Sequence, residues 1–279
     1  MKWQARYEAL CARRAEAASA RMPPVRTTED RSGAFDLQAI ADEWTKRAFD
    51  GPFYQTAATD PVSLGVVFVR SREGNTGTRN PASLGGGIVD EQLIYEGLTR
   101  VAADAVIAGA GTLYRDSLFT VWRPELIELR GRLGLPRHPA QVVMSIDGSA
   151  DPEGALLVNL PYVRVFLLTS VTGRERLAPA LDVRPWITVV IAPSLREQFA
   201  ILRAAGIRRA CSVGGRRSAT QLVDARLVND VYLTTTRVSG GDPDTPWYIG
   251  KETLSTRRVV AKEWDGEHGT VHFEHLLLG

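Results

Sequence analysis

Short apolar segments alternate with amphipathic ones from about residue 63 onward. Residues 64–69 and 105–108 are continuous apolar runs of the length that buried strands have. Further runs at 140–145, 163–169, 187–192 and 209–213 predict more strands. Between them, residues 91–102, 124–132, 195–205 and 218–225 are predicted as helices, the first with Leu93, Ile94, Leu98 and Val101 facing inward. This alternation predicts an α/β fold with a mostly parallel sheet.

The two ends of the chain differ from this pattern. Residues 230–236, 257–264 and 270–277 predict strands, and the Gly-containing segment 265–269 makes the last two a hairpin at an antiparallel edge. Near the start, Trp3, Tyr7, Leu10 and Cys11 follow helical spacing, and a second helix is predicted over residues 36–49. We therefore expect a helical N-terminal extension over residues 1–60 and a main domain over 61–279.

Two strand–glycine joints stand out in the main domain. The strand at 105–108 runs into Gly109-Ala110-Gly111-Thr112, and the strand at 209–213 runs into Gly214-Gly215, each before an expected helix. Glycines let the backbone approach a ligand closely, and a helix start offers free N–H groups and a positive dipole end. A single such joint is more often an ordinary tight turn. Two of them suggest one cleft for a polyphosphate ligand such as a dinucleotide.

The remaining candidates follow from the rule that ligands bind outside the carboxyl ends of parallel strands. Ser71, Glu73, Asp116 and Ser145 join the two glycine joints at that edge. The set has few acids and no histidine, which fits redox chemistry performed by a cofactor.

Bulk composition argues against several classes. The net charge of +2 gives no general attraction to nucleic acid or to an anionic membrane, and no apolar run approaches a membrane span. Cys11 and Cys211 are too isolated for a disulfide framework or a zinc site, so a cytoplasmic protein is expected. His272 and His275 fall three apart in a predicted strand and face opposite sides, so no metal site is expected.

The motifs resemble one family. Residues 104–112, DAVIAGAGT, resemble the corresponding segment in the reductase domain of riboflavin-biosynthesis deaminase/reductases, which belongs to the dihydrofolate-reductase-like superfamily. Residues 71–74 resemble that family's Ser-x-Asp-Gly loop, residues 90–100 its following helix, and residues 213–230 its paired-glycine segment. The resemblance extends from about residue 61 to the C-terminus.

The resemblance implies a three-layer α/β/α fold of the dihydrofolate-reductase type and a homodimeric, NADPH-dependent oxidoreductase. The family reduces the ring-opened ribose, as an imine, of a phosphoribosylamino-pyrimidine. It implies that NADPH is held by Gly109, Ala110, Gly111, Thr112, Ser145, Gly214, Gly215, Arg216, Arg217 and Ser218.

At the positions expected to lie near the substrate, the sequence differs from that of the family. Val213 stands where the family has Glu, Glu73 where it has Asp, and Ser117-Leu118 where it has Asn-Pro. The zinc motifs of the deaminase half are absent, so deamination is not expected. We expect Ser71, Glu73, Arg123 and Val213 to contact the substrate, with Arg123 either clamping a phosphate or solvated.

Glu73 and Asp116 are the expected proton donors, although Asp116 could equally cap a turn. A substrate less polar than 5-amino-6-(5-phosphoribosylamino)uracil is favoured, because the family's carboxylate is missing at position 213.

Two hypotheses of different classes remain. The first is an NADPH-dependent reductase acting on a C=N or C=C bond of a pyrimidine-derived or related small substrate. The second is a non-catalytic member of the same superfamily that binds a nucleotide or serves as a dimeric scaffold. The glycines favour the first, and Val213 keeps the second open.

Overall fold

A ten-stranded sheet forms the centre of the molecule. The computed structural model describes residues 2–78, 80–113 and 116–279. The strands are β1 Val25–Asp30, β2 Leu37–Ile40, β3 Phe53–Thr56, β4 Ser63–Arg70, β5 Ala105–Gly109, β6 Ala140–Met144, β7 Val165–Thr169, β8 Ile187–Ile191, β9 Arg209–Ser212, β10 Asp230–Thr235, β11 Thr256–Gly266 and β12 Gly269–Leu278. Their order in the main sheet is β1-β11-β12-β10-β4-β9-β5-β6-β7-β8, and β2 pairs with β3 apart from it.

The sheet is parallel from β10 to β8 and antiparallel where β12, β11 and β1 follow. Strands β5, β6 and β7 are buried at every position, which explains their unbroken apolar sequences. The helices are α1 Lys2–Ala18, α2 Glu43–Ala48, a π-helix Val89–Leu98, α3 Thr99–Val101, α4 Pro124–Arg132, α5 Val171–Asp182, α6 Leu195–Ala204 and α7 Arg216–Asp224.

Helices cover both faces of the sheet. One core contains Leu10 of α1, Leu93 of the π-helix and Leu126 of α4, while a second contains Phe199 of α6 and Leu222 of α7. The predicted three-layer α/β fold, with its mostly parallel sheet and C-terminal antiparallel strands, is therefore confirmed.

The N-terminal region corrects one prediction. Residues 36–49 are not one helix: β2 pairs with β3, and only Glu43–Ala48 are helical. The helix starts late because Asp42 and Thr45 form a reciprocal capping box. In addition, β1 lies in the segment expected to be helical and pairs with β11 at the edge of the main sheet. The division of the chain at residue 60 stays a prediction.

The predicted helix after residue 90 is present, but it winds as a π-helix. The N–H of Thr99 and its hydroxyl both reach the carbonyl oxygen of Ile94, five residues back, the hydroxyl at 2.9 Å. With 3.6 residues per turn, residues five apart on an α-helix would face different sides. Here Asp90, Tyr95 and Arg100 line the same cavity. The predicted inward positions, such as Leu93 and Leu98, are fully buried.

None of the helices within the described ranges combines the length and the apolar character that crossing a membrane requires.

Candidate active site

A cavity of about 400 Å³ opens at the carboxyl ends of β4, β9 and β5. This is the edge where ligands bind in open parallel sheets, as the sequence predicts. Its walls come from the two glycine joints, the π-helix, the segment 116–122 and α1. The lining includes Leu10, Arg14, Asp90, Glu91, Tyr95, Glu96, Arg100, Thr112, Asp116, Leu118, Phe119, Trp122, Val213, Gly214 and Gly215.

The two glycine joints meet in space. The N–H of Gly215 donates to the Thr112 hydroxyl at 3.3 Å, because β9 and β5 are neighbours in the sheet. A Cβ on Gly214 would lie only 3.0 Å from the Gly109 nitrogen, and one on Gly109 would collide with the Ser218 hydroxyl. A side chain at Gly214 would therefore press on backbone, and one at Gly109 would require the Ser218 side chain to move.

The second joint leads into an uncapped helix. Helix α7 begins at Arg216, two residues earlier than predicted, and its cap residue Gly215 has no side chain to bond the first N–H groups. A Cβ on Gly215 would meet no atom within 4 Å, so its surroundings are open. Free N–H groups, a positive dipole end and two arginines, Arg216 and Arg217, form a site that fits a phosphate group.

The first joint differs from its prediction. Only a 3-10 turn, Ala110–Thr112, follows β5, and it ends at Leu113 in extended backbone. Within the described residues, no helix dipole points into the cavity at this joint, although Thr112 lines the cavity. The phosphate-binding features of the site are concentrated at the start of α7.

The π-helix and the following α3 supply a polar part of the cavity wall. The Arg100 guanidinium is 1% exposed, and its Nη1 donates to the Thr120 carbonyl oxygen at 3.1 Å. It stacks on Tyr95 and Phe119, with its central carbon 4.5 and 5.7 Å from the ring centroids. Nε and Nη2 have no hydrogen-bond partner among the described residues. An arginine with free N–H groups at a cavity wall can bind an acceptor atom of a ligand.

Asp90 lies on the same wall and does not cap the helix. Its side chain is buried, and its Oδ1 has no hydrogen-bond partner within the described part of the chain. Burial raises the pKa of this carboxyl to about 7, and the nearby negative charge of Glu91 adds to the shift. The nearby Thr234 hydroxyl acts against this rise in the pKa, although it forms no hydrogen bond of normal geometry with Asp90.

Helix α1 covers the mouth of the cavity. Leu10 and Arg14 line it, and Arg14 Nη1 lies 3.0 Å from Glu96 and 3.4 Å from Glu91. Burial raises the pKa of Glu96, while Arg100 and Arg14 counteract this effect. The N-terminal helix therefore contributes directly to the site, a role that its sequence did not reveal.

The two predicted acids are both held as carboxylates. Asp116 lies on the cavity wall, but Arg13 and Arg6 of α1 bond it at 2.9 and 2.7 Å and lower its pKa. Glu73 is exposed and outside the described lining, and hydrogen bonds, chiefly from the Ser239 hydroxyl, lower its pKa to about 2. Neither placement favours proton donation near neutral pH.

Among the other predicted residues, Gly109, Ala110, Gly111, Arg216, Arg217 and Ser218 are outside the described cavity lining, and so are Ser71, Ser145 and Arg123. Ser71 is buried and donates to Glu73 at 3.0 Å, and the Ser145 hydroxyl accepts from the Ala150 N–H at 2.9 Å. Arg123 is buried against Trp44 and donates to the Ala20 carbonyl oxygen at 3.3 Å. This arrangement leaves Arg123 neither solvated nor directed at a substrate phosphate. Of the predicted substrate contacts, Val213 alone is among the described lining residues.

Sequence reasoning missed the polar residues of the π-helix. Asp90, Tyr95 and Arg100 are spaced by five, and Glu91 and Glu96 repeat the interval. That spacing has no meaning on an α-helix, which is why it carried no signal.

Solved structures share this architecture. A pyrimidine reductase-like protein from Corynebacterium diphtheriae is 18% identical, with a TM-score of 0.56, over 78% of this chain and 92% of its own. This chain has the pyrimidine-reductase fold. Two further structures with that fold are RibD of Acinetobacter baumannii, at 15% identity and a TM-score of 0.61, and a Thermotoga maritima deaminase and 5-amino-6-(5-phosphoribosylamino)uracil reductase, at 15% and 0.58.

This chain aligns over 78% of its length with each of these two proteins, and it spans 58% and 57% of theirs. No protein-family model and no curated protein matches the sequence. The pyrimidine-reductase fold matches the expected resemblance, and the identities are low enough that the fold is all they show.

Proposed function

We propose that the chain is a nicotinamide-dependent reductase that reduces a C=N or C=C bond in a small pyrimidine-derived substrate. One observation carries this proposal: a single cavity joins the paired glycines before α7 to the polar wall of the π-helix. A site with a phosphate-binding end and an adjoining pocket suits a dinucleotide beside a second, smaller molecule.

The glycine half fits the cofactor. Gly214 and Gly215 bring the backbone to the ligand, the first N–H groups of α7 bond a phosphate, and Thr112 lies beside them. Arg216 and Arg217 at the start of α7 favour NADPH over NADH, since arginine binds an additional phosphate well. When bound, NADPH supplies the hydride.

The other half fits a flat, partly polar substrate. Leu118, Phe119 and Trp122 give apolar wall, and the free N–H groups of Arg100 can bond a carbonyl oxygen of a heterocycle. The family that this sequence resembles has Glu at position 213, whereas Val213 offers no polar partner to a substrate. A polar substrate group left unpaired there costs roughly 1–3 kcal/mol, or about tenfold to hundredfold in affinity. We therefore favour a substrate less polar than the phosphoribosylamino-uracil.

The descriptions of the structural relatives agree with this class of reaction. One is described as pyrimidine reductase-like, and another as a deaminase and phosphoribosylaminouracil reductase. Both have the fold on which we place the proposed site. Deamination is not part of the proposal.

The test begins with calorimetric titration of NADPH and NADH. The cofactor-loaded protein is then mixed with 5-amino-6-(5-phosphoribosylamino)uracil, its dephosphorylated form and simpler pyrimidine imines, and absorbance loss and product mass are followed. We expect tighter binding of NADPH, with turnover of at least one compound. Binding without oxidation of NADPH by any of them would favour the scaffold hypothesis.

Val213→Glu tests the substrate assignment within the same assay. The variant is expected to gain at least tenfold in activity on the phosphoribosylamino-uracil relative to the less polar compounds. A wild type that already prefers that uracil would show that Val213 does not shift the specificity.

A further inference from the structure

A C=N group that accepts a hydride at carbon also needs a proton at nitrogen. Among the described lining residues, seven side chains could hold or attract a proton, namely Arg14, Asp90, Glu91, Tyr95, Glu96, Arg100 and Asp116. The donor must be protonated near neutral pH and must readily release its proton. The seven side chains differ in whether they meet this requirement.

The arginines and the tyrosine hold their protons too tightly. Burial raises the pKa of Tyr95 above its ordinary value of 10, and guanidinium groups stay protonated in proteins. Asp116, between Arg6 and Arg13, is held as a carboxylate.

The two glutamates on the wall pair with an arginine of helix α1, which covers the mouth of the cavity. Glu91 is half-exposed and lies 3.4 Å from Arg14, and the buried Glu96 lies 3.0 Å from the same guanidinium. The Arg14 guanidinium occupies both carboxyl groups, and with Arg100 it opposes the rise in the pKa of Glu96 that burial causes. Both glutamates therefore belong to an ion-pair network that closes the mouth.

Asp90 differs from every other acid on the wall. None of the salt bridges within the described residues includes it, its side chain is buried, and its Oδ1 accepts no hydrogen bond there. Gly86 packs so closely that a Cβ on it would lie 2.7 Å from that of Asp90, which keeps water out on this side. A carboxyl in such surroundings is stabilised in its neutral form.

We propose that Asp90 is the proton donor of the reductase, delivering its carboxyl proton to the substrate nitrogen while the cofactor's hydride adds to carbon. This inference rests on the proposed function. Asp90 supplies the proton that completes CH–NH and is left as a carboxylate, while the hydride with its two electrons would come from a bound nicotinamide cofactor, which would thereby be oxidised. The Asp90 carboxylate then takes a proton from water.

The charged groups around Asp90 set the pH at which it can act. Glu91 on the same helix adds to the tendency of Asp90 to hold its proton, while Glu96 lies farther along that helix and Arg14 of α1 pairs with both glutamates. Arg100 lies in α3, which follows the π-helix, and β10 contributes the uncharged Thr234. We expect activity to fall as the pH rises through about 7, where the carboxyl loses its proton.

The test compares wild type, Asp90→Asn and Glu175→Gln, the last an exposed carboxylate on α5 as a matched control. Asp90→Asn is expected to lose about 10²–10⁴-fold in kcat, to bind NADPH within twofold of wild type, and to lose the alkaline fall in rate. Glu175→Gln should match wild type throughout.

A second readout needs no turnover. Infrared difference spectra of the cofactor-free protein should show a protonated carboxyl band that disappears as the pH rises through about 7. That band should be absent in Asp90→Asn and present in Glu175→Gln.

The outcomes separate the two proposals. Turnover by Asp90→Asn at the wild-type rate and pH profile, or a carboxyl that titrates below pH 5, would refute the donor role and leave the reductase standing. A wild type that binds NADPH but reduces none of the compounds would refute the reductase and the donor role with it. Normal NADPH binding by the inactive Asp90→Asn would support both.

Discussion

At the scale of single residues, the site depends on where side chains are missing as much as on where they are present. Side chains at Gly214 and Gly109 would press on neighbouring atoms of the protein, whereas Gly215 faces open space beside α7. A substitution at Gly215 therefore acts on a ligand and leaves the protein's own packing intact. This difference makes Gly215 the cleaner probe of the proposed phosphate site.

We predict that Gly215→Val abolishes measurable NADPH binding while leaving the melting temperature within a few degrees of wild type. The added side chain would occupy space proposed for a phosphate, and it meets no protein atom within 4 Å. Gly33→Val, at another open position, is the matched control. Calorimetry and thermal unfolding check both, and normal binding by Gly215→Val would make the joint an ordinary turn.

Asp90 also predicts a pH dependence of stability. Its pKa is about 7 in the folded chain against an ordinary value of 3.8, so the folded state keeps a proton that the unfolded state loses. This contribution to stability is complete below pH 4 and is lost as the pH rises to about 7. It amounts to a few kcal/mol at most.

Urea unfolding at pH 4 to 8 measures this effect. The stability of wild type relative to Asp90→Asn is expected to decline across that interval. A constant difference between the two proteins would mean that the Asp90 carboxyl titrates normally in the folded state.

At the scale of elements, α1 acts as a lid fastened by arginines. Arg6 and Arg13 bond Asp116 on one side of the mouth, and Arg14 bonds Glu96 and Glu91 on the other. Between the two sets, Leu10 enters the core. The partly exposed pairs of Asp116 and Glu91 add little individually, roughly 0.2–1 kcal/mol each, whereas the Arg14–Glu96 pair includes a buried carboxylate.

We predict that Asp116→Asn speeds hydrogen exchange in residues 2–18 severalfold, because two arginines lose their shared carboxylate. Glu128→Gln, which removes an exposed pair with Arg132 on α4, is the matched control. Mass-spectrometric exchange at low and high salt measures both. Unchanged exchange in Asp116→Asn would mean that Leu10 and its neighbours alone hold the lid.

The elements also show what the sequence could and could not predict. The parallel strands, α4, α6 and the C-terminal hairpin follow from unbroken apolar runs and glycine stops, and they are confirmed. Strand β1 was missed because its sequence, VRTTED, is polar and its stability comes from pairing with β11, a strand far away in the sequence. At the site, the glycines were visible as a local motif, but the acids of the π-helix were not.

At the scale of the whole molecule, the ten-stranded sheet ends in β8 on one side. Apolar side chains are exposed close to that edge, with Ile191 on β8, Ile201 on α6 and Val183 after α5. Exposed apolar groups beside a free strand edge favour association with another chain. The expected homodimer remains a prediction, and this edge is the surface we connect with it.

We predict a dimer by light scattering at micromolar concentration and a monomer for Ile201→Asp, since a buried carboxylate would oppose association. Ile249→Asp, at an exposed apolar position on another part of the chain, is the matched control and should remain dimeric. A monomeric wild type would contradict the prediction outright, and dimeric Ile201→Asp would place the interface elsewhere.

The π-helix makes the proposed site unusually sensitive to insertions and deletions. Loss of one residue within Val89–Leu98 would let the segment relax toward an α-helix and rotate the residues before the gap by about 100° relative to those after it. Asp90 and Arg100 would then face different sides, while the glycine joints stayed in place. Deletion of a single codon within the π-helix could therefore give a protein that still binds the cofactor but no longer performs the proposed proton donation.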